Sequence, residues 1–89
     1  MSDAVHANLE DLRRLQKAVD VAVQEVNDSL KKLQRTVERA DWTDSASRNF
    51  DTQLNSATAS VRQTTQRLSE LKPILNREIQ ALQEYLRRR

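Results

Sequence analysis

The side chains able to do chemistry are few. The chain has one histidine, His6, and no cysteine among its 89 residues. A transition-metal centre takes three or four His, Cys or carboxylate ligands, so one imidazole without a thiol does not build one. Serine and threonine are abundant, but no base is spaced to activate any of them as a nucleophile. Carboxylates such as Glu10, Asp11, Asp20, Glu25, Asp28 and Glu38 fall off the main seam, several of them close to Arg or Lys, which reads as surface charge pairing. The absence of glycine leaves no phosphate-cradling loop. The expectation is a non-enzyme with no catalytic residue, no cofactor and no metal.

Charge narrows the partners. The net charge is +2, yet Arg87, Arg88 and Arg89 close the chain. Without them the rest carries one more acid than base, whereas a nucleic-acid binder spreads its basic stripe over the fold. Cations also suit a helix C-terminus. Nucleic acid is therefore not an expected partner. No apolar run reaches the roughly 18 residues of a membrane span, so stable membrane insertion is not expected either. The first residues show no basic segment followed by an apolar one, so export would use a route without a cleaved signal peptide.

The elements that position these residues are long helices. With no glycine, one proline and 31% charged residues, the composition is that of amphipathic helices. Leu9, Leu12, Val19, Val23, Val26, Leu30, Leu33, Val37 and Ala40 recur in alternating steps of three and four, with Gln16 the one polar residue on the stripe. Asp3 or Asn8 can cap this run. A second stripe runs through Ala46, Phe50, Leu54, Ala57, Val61, Thr64, Leu68, Leu71 and Leu75, then shifts by one residue to Ile79, Leu82 and Leu86. The phase changes across Asp41–Asp44, where Asp44 or Thr43 can cap a new helix and Asp tolerates a left-handed backbone. The expected fold is all-α: an antiparallel helix–turn–helix hairpin filling 1–89 as one domain. Helix 1 is expected over 3–40, the turn over 41–44, and helix 2 over 45–87 with a kink near Pro73. Folding back brings Leu30 near Leu54, Val23 near Val61 and Leu9 near Leu75.

Each helix is apolar over a wider arc than one seam needs, at Leu15, Ala18, Val21 and Ala22 and again at Ile74, Ala81 and Tyr85. A helix with a broad apolar face touches two neighbours. Two hairpins pairing into a four-helix bundle account for this, with Leu15, Ala18, Val19, Ala22 and Val26 as the expected dimer interface.

Trp42, the only Trp, stands at the bend, followed by Phe50, the only Phe. A tryptophan at the centre of a short helical hairpin resembles the WXG100 (ESAT-6-like) family of type VII secretion proteins, and the resemblance spans the chain. Trp42-Thr43-Asp44 occupies the family's Trp-x-Gly triplet, Ala46 its small position and Phe50 its aromatic one. Asp44 departs from the family glycine. The family's C-terminal Tyr-x-x-x-Asp/Glu signal is not met, since Arg89 lies four residues after Tyr85. A looser family pattern is fitted by Ile74, Glu78, Ala81 and Tyr85. The resemblance implies a secretion substrate or a secretion partner and targeting factor, cytoplasmic before export and then secreted. It would bind itself or a related hairpin, a larger effector with a helical N-terminal region, and the type VII secretion ATPase. The seams alone, ignoring Trp42, equally suit an intracellular coiled-coil adaptor.

Overall fold

A computed structural model describes residues 8–88. These residues are all helical apart from short links. Helix α1 is Leu9–Arg39, α2 is Ser45–Ser69 and α3 is Leu71–Arg87. The molecule is a rod of 68 × 19 × 14 Å in which α1 lies against both α2 and α3, the shape of a helical hairpin.

Each boundary has a local cause. Asn8 caps α1, its Oδ1 accepting from the N–H groups of Glu10 and Asp11 at 2.9 and 3.2 Å. Those two acids also sit in the first turn, where the helix dipole favours them. The start expected at residue 3, with Asp3 as the other candidate cap, lies outside the described residues, as do Val5 and His6. At the far end Ala40 is already extended, and its N–H reaches the Val37 carbonyl at 3.1 Å. Asp44 caps α2 by accepting from the Ser47 N–H at 2.9 Å.

The break in the second half falls at Glu70, three residues before Pro73. Proline has no N–H to give the carbonyl four residues back, that of Ser69, and its ring crowds that turn. The Glu70 N–H keeps its ordinary bond to the Gln66 carbonyl at 3.1 Å and also reaches that of Arg67 at 3.2 Å, the Glu70 backbone stays in the helical region, and no side chain caps the start of α3.

The inward stripes differ from the expected ones in a revealing way. On α1 the half-buried residues of the inward stripe are Leu9, Leu12, Gln16, Val19, Val23, Val26, Leu30, Gln34 and Val37, with Ala22 half-buried beside it, while Leu33 and Ala40 are exposed. A straight helix repeats a face every 18 residues in five turns, so a 3.5-residue seam drifts. Eighteen residues after Gln16 the inward position is Gln34, not Leu33.

On α2 and α3 the inward positions are Leu54, Thr58, Val61, Thr65, Leu68, Lys72, Leu75, Ile79 and Leu82. This is one unbroken three–four alternation, so the expected one-residue phase shift does not occur. Leu54, Val61, Leu68 and Leu75 belong to either phase. The choice lies between Ala57, Thr64, Leu71 and Glu78 on one side and Thr58, Thr65, Lys72 and Ile79 on the other. Each set contains one charge. The second set goes inside although its one large apolar residue, Ile79, only matches Leu71 of the first; Lys72 can lay its stem along the seam while its ammonium escapes. That ammonium meets Asp20 of α1 at 2.8 Å. A uniform fold-back about the bend would set Thr65, not Lys72, opposite Asp20; the ion pair lies one heptad further along.

Candidate functional site

Two regions gather the candidate residues: the bend, and a side of the hairpin that remains apolar in the open. At the bend, Asp44 has φ −83° and ψ −175°, an extended conformation open to any residue. No described residue has positive φ. The left-handed backbone expected at Asp44 is thus absent. Asp44 acts as a helix cap: its carboxylate takes the Ser47 N–H, and its carbonyl accepts from Ser47 Oγ at 2.7 Å. This pair of bonds draws Ser47 inward, where it is buried at 5% exposure. Ser47, rather than Ala46 or Phe50, therefore begins the second seam.

Ala46 and Phe50 lie one position off that seam and are exposed. Phe50 packs instead against Trp42, with ring centroids 5.6 Å apart and planes tilted by 49°, an offset geometry that aromatic quadrupoles favour. Trp42 remains 46% exposed and Phe50 40%. Beneath them is a groove of about 280 Å³ lined by Leu33, Thr36, Val37, Ala40, Trp42, Ser47, Phe50 and Asp51. It is open because the next seam position after Ser47 holds Asp51, whose carboxylate stays in solvent. An apolar wall with one acid at its rim suits an apolar side chain, and it offers no acid–base pair for chemistry.

The second region follows from helix geometry. Residues one position before the inward stripe are rotated by about 100° from it. Because α1 runs antiparallel to α2 and α3, these flanking stripes fall on the same side of the hairpin. On α1 the stripe carries Leu15, Ala18, Ala22 and Leu33, and on α2 and α3 it carries Ala46, Phe50, Ala57, Leu71, Ile74, Ala81 and Tyr85. The groove already joins Leu33 to Phe50 across the two helices. The opposite side carries Asp20, Gln24, Asn27 and Lys31 along a polar depression with Lys72.

The expected site residues distribute accordingly. Leu15 and Ala18 are exposed on the apolar side and Ala22 is half-buried there. Val19 and Val26 are half-buried on the inward stripe. Ile74, Glu78, Ala81 and Tyr85 form one exposed line along α3, with Leu71 at its head. Ala81 and Tyr85 border a shallow depression with Glu84 and Arg88. Glu84 holds Arg87 and Arg88 at 3.0 and 3.7 Å, which ties the tail's positive charge locally; Arg89 lies outside the described residues.

Leu33, Ser47 and Asp51 were not legible as site residues. Leu33 and Asp51 could be reached only by extending the Ile79–Leu82 phase backward and by letting the α1 stripe drift. Among the described residues no three His, Cys, Asp or Glu side chains gather as metal ligands, and no helix is long and apolar enough to cross a membrane. Comparison with family models, with curated proteins and with solved structures finds no match to this chain.

Proposed function

We propose that this chain is a WXG100-like type VII secretion substrate, or a secretion partner and targeting factor, that works by helical dimerisation and protein binding without catalysis or a cofactor. The observation that carries the reading is Trp42, held half-exposed on Phe50 at the bend of a hairpin. A buried tryptophan would only close the core; an exposed one beside a groove offers a partner an aromatic anchor. The apolar side supports pairing with a second hairpin, itself or a related one, into a four-helix bundle. A larger effector with a helical N-terminal region would use the same side. In this reading the secretion ATPase reads the line Ile74, Glu78, Ala81 and Tyr85, and the chain is cytoplasmic until exported.

The direct test is the culture supernatant of a producing strain with and without its membrane ATPase. Export should disappear with the ATPase; equal amounts in both, with no export defect in any partner, would falsify the proposal. Trp42→Ala should fold yet fail in export or in partner binding.

A second reading, an intracellular coiled-coil adaptor, is favoured by Asp44. The bend closes with an ordinary cap and extended backbone, so nothing in its geometry requires the family motif. An adaptor carrying Trp42→Ala would lose only a little stability and keep its partner.

A further inference from the structure

We infer that the hairpin is built as a fixed platform, α1 with α3, carrying a hinged arm, α2, that pivots at Glu70. The inference concerns the chain alone and stands whether or not it is secreted.

Burial divides the molecule at this point. Ile79 and Leu82, exposed by 6% and 4%, are the buried apolar residues among those described, and both belong to α3. The buried residues of α2 are Ser47, Thr58 and Thr65. Hydrophobic burial is the main favourable term in folding, so α2 is the weakly held segment. Its own helix is also compromised. Thr52, Thr64 and Thr65 donate their hydroxyls to the carbonyls of Arg48, Ser60 and Val61 at 3.1, 3.1 and 2.8 Å. Such back-bonding slightly destabilises and often bends a helix; α2 has three of these bonds, against the single Thr36–Lys32 bond of α1.

The pivot has the chemistry of one. Pro73 deprives the Ser69 carbonyl of its usual donor, and no side chain caps α3. Immediately beyond, Lys72 pairs the first turn of α3 with Asp20 at 2.8 Å. The platform therefore begins where the arm ends. At its other end the arm carries Phe50, facing Leu33 and Val37 across the groove.

Amide hydrogen exchange on the full chain tests this. Cooperative segments open separately when their stabilities differ, so α2 amides should exchange at least ~10-fold faster than α3 amides under one set of conditions. Pro73→Ala restores a donor to Ser69 and should slow α2 several-fold while leaving α3 unchanged. Lys72→Ala should speed α3 exchange and narrow the difference. Equal protection of α2 and α3, or a difference untouched by Pro73→Ala, overturns the inference. A uniform slowing of both helices by Pro73→Ala also overturns it, since that marks one cooperative unit.

Discussion

Asp44 shows how a single side chain can replace a backbone freedom. Glycine at a bend serves where positive φ is required. Here the chain turns with Asp44 extended, and the Ser47 N–H is taken by the Asp44 carboxylate at 2.9 Å as well as by its carbonyl at 3.1 Å. Asp44→Ala removes that acceptor and should cost about 1 kcal/mol, lowering the melting midpoint by roughly 4–8 °C in a domain of this size. Asp44→Gly should cost only a few tenths of that. Thermal melts of the two variants followed by circular dichroism would check the ordering, and an unchanged Asp44→Ala melt would refute the capping role. Trp42 obeys a different logic. With nearly half its surface in solvent, its loss withdraws little burial from the hairpin and mostly alters what the bend presents.

At the scale of elements, α3 is where truncation should hurt. Ile79→Ala leaves a cavity among the best-buried side chains and should cost about 2–5 kcal/mol. Total stabilities are about 5–15 kcal/mol, and a small domain sits at the low end. Phe50→Ala, on an exposed stripe, should cost markedly less. Denaturant titrations of both variants would separate them, and equal losses would contradict the division of burial described above. The Lys72–Asp20 pair adds little by itself. With side chains 41% and 55% exposed it falls in the range of about 0.2–1 kcal/mol for solvent-exposed pairs. Its weight lies in position, since a lysine on a seam permits the register that gives it a partner.

As a whole molecule the chain is a thin rod. Its radius of gyration is 20.0 Å, against roughly 12 Å for a compact domain of equal length. A rod two helices wide cannot enclose a core, which is why so little apolar surface is buried. The uncovered side carries Leu15, Leu71 and Ile74 at 53%, 43% and 49% exposure, and uncovered apolar surface favours association. The purified chain should sediment above its monomer mass of 10.3 kDa, with a melting midpoint that rises with concentration. Leu71→Glu should return it to the monomer and remove the concentration dependence. A monomer at every concentration would leave self-association without support and turn attention to an unlike partner.

The sequence by itself determined that the chain is helical and where it folds back. Both are local matters: heptad spacing, absent glycine, and a polar Asp41–Asp44 break between two apolar phases. It also marked Pro73 as the site of a disturbance, which the backbone expresses at Glu70, because the missing donor acts on the turn before it. Only the tertiary structure decided which of two adjacent stripes turns inward. Leu54, Val61, Leu68 and Leu75 serve either choice, and the competing sets around Leu71 and Lys72 are near equal in apolar content. The tie is broken by α1, which supplies Asp20 for Lys72 and the surface that covers Ile79 and Leu82. Once that rotation is set, Thr58 and Thr65 go in and Phe50, Leu71 and Ile74 stay out. Periodicity fixes the axis of a helix, but its rotation is fixed by what it packs against.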